Sequence, residues 1–350
     1  MKSQISSLVS LGIGLSVAAC GGVAEVSAPA YTYELAGETM GTTYTVRVDS
    51  DVRPFSDGEL GARVQEVVDD INARMSTYVE TSEVSHINRA SPDATTTLSD
   101  DTYFVLQSAI FLAESSGGAF DPTVGALVNA WGFGPVNPTT APSAFEIESL
   151  RSHTGIEVLE MDPDNHGVRK VDPEARVDLS AIAKGYAADK VGDMLEENGL
   201  TRYMVEVGGE VLVGEAKRDG SPWRIGIETP DVGAQHLQRT VPLMDHAMAT
   251  SGNYRNFYVM GGRTVGHTID PRVGQPVDHD GASVSVIHDS CMLADGMATV
   301  LMVMGPEEGY AWAVANDIAA MFVVFDGEEF VERLTPAFAE LAQVELETEA

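Results

Sequence analysis

Residues 178–214 read DLSAIAKGYAADKVGDMLEENGLTRYMVEVGGEVLVG and carry the strongest fold signal in the chain. Apolar residues recur at helical spacing in the first half, which predicts a helix over 181–198 with Asp178 or Ser180 as its N-cap. The second half reads as two short strands interrupted by a pair of glycines, where a bulge or a close approach of backbones is expected. The stretch therefore mixes a helix with short strands.

The same mixture extends on both sides of that stretch. A β-like segment covers residues 31–48, where Tyr44 and Val46 alternate with polar neighbours. Further strands are predicted at 203–207, 211–214, 223–228, 283–287 and 320–325, and further helices at 60–75, 101–115 and 292–303. Helices interspersed with alternating strands indicate an α+β (mixed α/β) fold. No break in composition divides the chain, so we expect a single large domain over 31–340.

Composition limits the partners of this chain. Of its 350 residues, 44% are hydrophobic and 21% charged, which excludes a disordered chain and a polytopic membrane protein. Acidic residues outnumber basic ones 53 to 21, and the resulting formal charge of −32 repels phosphate backbones. We therefore expect no nucleic-acid partner, and an anionic ligand must be held by local cations, helix N-termini or a metal.

The N-terminus has the pattern of an export signal. Lys2 precedes an apolar run that is too short to span a bilayer comfortably, and small residues lead to Cys20 as in a bacterial lipobox. This pattern predicts a lipoprotein signal peptide over 1–19, with Cys20 acylated and the protein anchored to a membrane in the bacterial periplasm. The alternative is an ordinary signal with an incidental cysteine. A tether over 20–30 and an acidic tail over 341–350 flank the predicted domain.

Several familiar motifs are absent from the sequence. There is no G-x-G-x-x-G after a strand, no P-loop, no G-x-S-x-G nucleophile elbow and no H-E-x-x-H. No two of the histidines stand at i,i+4, and the two cysteines are too few for a multi-thiolate zinc site or a disulfide framework. The chemistry must therefore come from other groups.

One candidate site is the start of the helix predicted over 181–198. Free N–H groups at a helix N-terminus, together with Lys184 in the first turn, favour a phosphate group. A lysine at this place opposes the helix dipole unless an anion lies nearby. The alternative is a capped helix with a solvated lysine.

Asp295 and Thr299 form a second candidate site. On a helix they lie one turn apart on the same face, so oxygens of both side chains can reach one ion. Oxygen ligands without histidine suit Mg²⁺ or Ca²⁺. The alternative places Asp295 near a helix start and has Thr299 bond back to a carbonyl.

A histidine and three aromatic residues complete the candidates. His267 and Arg272 lie near a Pro/Gly turn, where the histidine either acts as a general base or makes only structural hydrogen bonds. Tyr78, Phe120 and Trp131 either flank a planar ring or belong to the core.

Taken in order, these fragments resemble the ApbE family of FAD:protein FMN transferases. The motifs that carry the resemblance are Met40–Tyr44, Met75–Asn88, Gly118–Gly134, Asp178–Asp189, Val207–Glu210, Pro222-Trp223, Ser251-Gly252, His267–Gly274 and Ala294–Thr299. They are distributed over nearly the whole chain after the signal. The resemblance implies a T-fold-like α+β architecture and, as in many members, a periplasmic lipoprotein.

The resemblance also implies the ligands and the reaction. FAD is the implied substrate, with contacts at Met40, Tyr78, Ala119, Phe120, Asp121, Asp178, Lys184 and Ile269. Mg²⁺ is the implied cofactor, held by the backbone carbonyl of Ala181 and the side chains of Asp295 and Thr299. FMN would pass from FAD to a threonine hydroxyl of an acceptor flavoprotein, such as a respiratory or electron-transfer subunit, and AMP would leave.

Within this expectation, Lys184 and Arg272 add local positive charge. His267 accepts the proton of the attacking hydroxyl, with Asp295 as the alternative. Two other functions stay open at this point. A periplasmic FAD pyrophosphatase would use water in place of threonine, and a non-catalytic flavin-binding lipoprotein would hold FAD intact.

Overall fold

An eight-stranded antiparallel sheet forms the centre of the structure. The structure is a computed structural model that describes residues 30–135, 138, 140–230, 237–252, 257–260 and 263–344. In spatial order, the strands of the central sheet are Tyr31–Thr39, Thr42–Ser50, Tyr203–Val207, Glu210–Val213, His246–Gly252, Gly281–His288, Ala319–Phe325 and Phe330–Leu334. The predicted signal over 1–19, Cys20 with most of its tether, and residues 345–350 of the acidic tail lie outside the described residues.

The strands are β1 (Tyr31–Thr39), β2 (Thr42–Ser50), β3 (Thr95–Thr97), β4 (Leu159–Asp162), β5 (Gly167–Lys170), β6 (Tyr203–Val207), β7 (Glu210–Val213), β8 (Trp223–Glu228), β9 (Leu237–Leu243), β10 (His246–Gly252), β11 (Phe257–Met260), β12 (Arg263–Gly266), β13 (Ile269–Asp270), β14 (Gln275–Pro276), β15 (Gly281–His288), β16 (Ala319–Phe325) and β17 (Phe330–Leu334). The helices are α1 (Asp57–Met75), α2 (Glu83–Arg89), α3 (Asp100–Ser115), α4 (Gly125–Ala130), α5 (Ala144–Arg151), α6 (Ala183–Glu197), α7 (Cys291–Ala315) and α8 (Pro336–Leu341).

Two tight hairpin turns lie at the same end of the central sheet. The segment predicted as one β-like stretch is the hairpin β1–β2, and its two turn residues, Met40 and Gly41, both have positive φ (50° and 74°). Such a two-residue turn matches the twist of the flanking strands. The glycine pair Gly208-Gly209 turns the chain between β6 and β7. Because β2 pairs with β6, the two turns are neighbours.

Helices α1, α6 and α7 pack on one face of the sheet. Alternate residues of β10 point to opposite faces, so Ala249 packs with α7 while Met248 packs on the other side. That other side is covered by the hairpin β8–β9 and by α8. The prediction of an α+β fold in a single domain is confirmed.

The two helices that matter most for function differ from their predicted bounds. Helix α6 begins at Ala183, and Asp178 is not its N-cap because its Oδ1 atom accepts a hydrogen bond from the Ser180 amide (2.8 Å) ahead of the helix. Helix α7 runs on to Ala315 through a kink at Gly305, where φ is 78°. None of the described helices is long and apolar enough to cross a bilayer.

Candidate functional site

A cavity of about 880 Å³ opens at the end of the sheet where the two hairpin turns lie. The residues predicted to contact FAD, to hold the cation or to take the proton all line it within the described part of the chain: Met40, Tyr78, Ala119, Phe120, Asp121, Asp178, Ala181, Lys184, His267, Ile269, Asp295 and Thr299. Cys20, the predicted lipidation site, lies outside the described residues. The fold thus brings together residues that are far apart in sequence, from Met40 to Thr299.

Two loops on one wall of the cavity are joined by backbone hydrogen bonds. The Asp178 amide donates to the Pro122 carbonyl (2.8 Å), which places Asp178 beside Asp121. The Asp121 carboxylate accepts hydrogen bonds from the amide and hydroxyl of Thr123 (2.7 and 2.6 Å). Burial raises the pKa of Asp121, and the bonds from Thr123 oppose that rise. This wall therefore holds two carboxylates in fixed positions, the half-buried Asp121 and the buried Asp178.

The charged end of the cavity is built around Lys184. Its Nζ atom lies 3.6 Å from Oε1 of Glu210 and 3.5 Å from Oδ2 of Asp295, and it donates to the Ser180 carbonyl (3.2 Å). Burial alone favours the neutral amine, but the two carboxylates raise the pKa of Lys184 above its ordinary value. Burial also raises the pKa of Glu210, against the opposing effect of Lys184. One ammonium and two carboxylates leave surplus negative charge here whenever all three are ionised.

The residues around Asp295 fit a divalent cation. The Gly185 amide donates to Oδ2 of Asp295 (3.1 Å) in place of the Ala181 carbonyl four residues back. No hydrogen bond among the described residues reaches that carbonyl. Thr299 shares a hydrogen bond with Ser251 (Oγ1 to Oγ, 3.2 Å) and offers a further oxygen of the kind Mg²⁺ and Ca²⁺ prefer. Clusters of three or more His, Cys, Asp or Glu side chains suited to a metal are absent from the described residues.

The cavity lining also includes His267 and two aromatic residues, Tyr78 and Phe133. The His267 ring is half-buried and contacts the Phe133 ring edge-on, with centroids 6.2 Å apart. Tyr78 is 65% exposed and donates from its hydroxyl to the Phe133 carbonyl (3.1 Å). These contacts hold a histidine and an exposed aromatic ring beside the cavity.

Arg272 and Trp131 are not among the described residues that line the cavity. The guanidinium of Arg272 is paired with Asp270 (3.0 Å) and Glu308 (2.8 Å). For Trp131 the core alternative holds, because its ring is buried in a small apolar cluster and its Nε1 atom donates to the Gly274 carbonyl (2.9 Å).

Glu210 is a polar group of the cavity to which the sequence assigned no role, although it lies within the motif Val207–Glu210. The sequence feature that could have indicated it is an acidic residue directly after a pair of glycines. Only the tertiary structure brings Glu210 and Asp295 to the same ammonium, that of Lys184.

The sequence of the chain is similar to those of known proteins over nearly its whole length. The model of the ApbE family matches residues 40–322. The chain is 40% identical over 332 residues to an FAD:protein FMN transferase of Vibrio cholerae, a match that spans 95% of this chain and 97% of that protein. An FAD:protein FMN transferase of Haemophilus influenzae is 35% identical over 350 residues, spanning 98% of this chain and 99% of the relative.

Solved structures agree with the sequence comparison. The flavin transferase ApbE from Vibrio cholerae matches with a TM-score of 0.81 at 40% identity, covering 89% of this chain and 99% of that one. The apo form of the Pseudomonas stutzeri flavinyl transferase ApbE matches with a TM-score of 0.82 at 37% identity, covering 91% and 98%. The described fold is therefore the fold of these proteins.

Proposed function

The chain belongs to the ApbE family, and on this basis we propose that it transfers FMN from FAD to a threonine hydroxyl of an acceptor protein and releases AMP. One observation carries the proposal. A single cavity joins Lys184 and the oxygen groups of Ala181, Asp295 and Thr299 at one end to aromatic and carboxylate groups at the other. A protein with a formal charge of −32 needs such a local site to bind a diphosphate.

The cation of this site is proposed to be Mg²⁺. The Ala181 carbonyl and the side chains of Asp295 and Thr299 would hold it, since no amide of the described residues donates to the first and the others lie on one face of α7. Bound Mg²⁺ would neutralise charge on the diphosphate and on the departing AMP.

The protein's own groups bind and orient the substrate. Lys184, whose side chain keeps 25% of its surface exposed, adds positive charge for the phosphates, and the acidic neighbours keep its ammonium protonated. Tyr78 and Phe120 offer ring faces for the flat parts of FAD. Asp121 and Asp178 offer acceptors for its N–H and hydroxyl groups.

The transfer breaks the phosphoanhydride bond of FAD and forms a phosphoester bond to the acceptor. The threonine oxygen attacks the phosphorus of the FMN half, the bond from that phosphorus to the bridging oxygen breaks, and AMP leaves with the bonding electrons. His267 takes the proton of the attacking hydroxyl. Asp295 is the weaker candidate for this role, because its Oδ2 atom already accepts the Gly185 amide and faces Lys184.

An assay with Asp295→Ala tests the proposed function. The purified protein is mixed with FAD, Mg²⁺ and a threonine-bearing peptide, and mass spectrometry asks whether FMN is attached to the peptide or free in solution. We expect peptide-bound FMN and AMP from the wild type, and loss of Mg²⁺-dependent AMP release in Asp295→Ala. Asp193→Ala is the control, because Asp193 is exposed and pairs with Lys190 (3.5 Å) on the surface of α6. Free FMN in place of modified peptide would instead assign a pyrophosphatase, and unchanged turnover in Asp295→Ala would reject the cation site.

We also propose that Cys20 is acylated and that the protein is attached by lipid to a membrane in the periplasm. Support comes from the signal-like residues 1–19 and the small residues before Cys20. Labelling cells with an alkyne fatty acid should mark the wild type and leave Cys20→Ser unmarked, with the variant recovered in the soluble fraction.

A further inference from the structure

Glu210 carries a buried carboxylate oxygen that the proposed reaction does not use. The residue is 4% exposed and lines the cavity. Its Oε1 atom faces Lys184 at 3.6 Å, whereas Oε2 has no hydrogen-bond partner among the residues that the structure describes. A buried oxygen without a partner is destabilising, so a donor from a bound ligand is its expected partner.

The position of this carboxylate is fixed by the turn that precedes it. Glu206 accepts a hydrogen bond from the Gly209 amide (2.7 Å) and another from the Thr45 hydroxyl (3.0 Å), which ties the Gly208-Gly209 turn to β2. The Oε2 atom of Glu210 lies 3.4 Å from the point that a Cβ on Gly208 would occupy. The oxygen is therefore held in place before any ligand arrives.

The ionised form of Glu210, which the adjacent Lys184 ammonium favours against the effect of burial, restricts the donor that it accepts. A phosphate oxygen is repelled by that carboxylate, so its partner is a neutral or positively charged donor. Glu210 and Asp295 flank the same ammonium, and the oxygen groups that fit a divalent cation begin at Asp295. Mg²⁺ keeps several water molecules when proteins bind it, and these waters are strong donors.

The next inference rests on the proposed function. We propose that Glu210 is a further residue of the cation site and that its Oε2 atom accepts a hydrogen bond from a water molecule bound to the divalent cation. Such an outer contact raises affinity for the cation without touching the flavin. Removing groups in this position typically weakens metal binding by about 10- to 100-fold.

The test measures FAD binding by flavin fluorescence over a series of Mg²⁺ concentrations and in EDTA, without acceptor, for the wild type and Glu210→Gln. We expect the Mg²⁺ concentration that gives half of the maximal change in FAD binding to rise by about 10-fold or more in the variant. FAD affinity in EDTA should stay the same or improve, because one negative charge is lost. The shift in melting temperature caused by Mg²⁺ with FAD should shrink in parallel, which is a readout independent of turnover.

Glu228→Gln is the matched control. Glu228 lines the same cavity and carries the same charge, but it lies at the end of β8, which is not a strand of the central sheet that carries the Gly208-Gly209 turn. Its substitution should leave the Mg²⁺ dependence nearly unchanged. An equal effect in Glu228→Gln would mean that net charge alone acts, and would overturn the inference.

A second background separates direct contact from an effect through Lys184. If Glu210 merely holds the ammonium away from Asp295, the effect of Glu210→Gln disappears in a Lys184→Met background, and the inference is wrong. Persistence of the Glu210→Gln effect in the Lys184→Met background supports the inference.

Equal weakening of FAD binding by Glu210→Gln with and without Mg²⁺ would assign Oε2 to a flavin nucleotide hydroxyl and also overturn the inference. A wild type whose FAD binding ignores Mg²⁺ would instead contradict the metal step of the proposed function. Glu210→Asp, which keeps the charge on a shorter side chain, serves if Glu210→Gln does not fold.

Discussion

Single residues in this cavity act through the charge that each presents to its neighbours. The Lys184 ammonium contacts both Glu210 and Asp295, and their carboxylates keep it protonated despite burial. Breaking one partner of such a buried set is destabilising because the remaining charges lose compensation. His267 lies apart from this cluster, against Phe133, where it can receive a proton without competing for the cation.

The role of His267 gives a prediction about rate. His267→Ala should lower the rate of FMN transfer to a threonine peptide by about 100-fold or more, because the attacking hydroxyl loses its proton acceptor. The concentration of FAD for half-maximal rate should change much less. Single-turnover mass spectrometry measures the rate, with His246→Ala as control, since the His246 ring bonds to the Met244 carbonyl (2.7 Å) away from the cavity. A normal rate in His267→Ala would assign the proton to another group.

Among the elements, α6 and α7 depend on each other for their N-terminal hydrogen bonds. Asp295 of α7 accepts the Gly185 amide in the first turn of α6 (3.1 Å). Asp189 of α6 accepts the amides of Cys291 and Met292 at the start of α7 (2.7 and 3.0 Å). Each helix thus supplies an aspartate that caps the other, and the crossing of the two helices sets the distance between Lys184 and Asp295.

Gly185 provides the prediction for this crossing. A Cβ at Gly185 would lie 2.3 Å from the Cys291 carbonyl oxygen, so Gly185→Ala must push α7 away from α6. We expect the free energy of unfolding to fall by about 1–3 kcal/mol, as overpacked cores do, and FAD-dependent AMP release to fall with it. Urea unfolding measures the stability.

Gly58→Ala is the control for that experiment. Gly58 lies in the first turn of α1, and an added Cβ there meets nothing within 4 Å. Because alanine favours helices over glycine, this change should be neutral or stabilising by up to about 1 kcal/mol. Similar losses in both variants would show that α6–α7 contact is not what Gly185 provides.

At the scale of the whole molecule, the net negative charge of the protein opposes the binding of a negatively charged ligand in the cavity. A formal charge of −32 repels the diphosphate of FAD during approach, while Lys184 and the oxygen groups act only at short range. Salt screens charges separated by more than about 10 Å at 0.1 M ionic strength and affects buried contacts less.

This contrast predicts how FAD association depends on salt. The association rate constant should increase by a few-fold when ionic strength rises from about 0.01 to 0.1 M, because the repulsion is screened before the local contacts form. Stopped-flow quenching of flavin fluorescence measures it, and riboflavin, which lacks phosphates, should show little change. A rate constant for FAD that falls with salt would mean that positive charge near the cavity dominates the approach.

Local sequence alone was sufficient for six of the eight strands that the structure describes in the central sheet, and for the long helices α1, α3, α6 and α7. The alternation in β6 and the helical spacing of α6 depend on neighbours in the chain, as does the pairing of Asp295 with Thr299 on one helix face. Family motifs added the loop residues around Asp121 and Asp178, which have no periodic signal of their own.

Tertiary contacts determined the features that depend on distant partners. Asp178 is not the cap of α6, since Asp295, which is 110 positions away from Gly185, accepts that helix's amide. Arg272 pairs with Glu308, and Glu210 reaches the same ammonium as Asp295. Hydrogen bonds and ion pairs act over a few ångströms regardless of separation in sequence, so only the folded chain determines which charge is satisfied and which oxygen is left for a ligand.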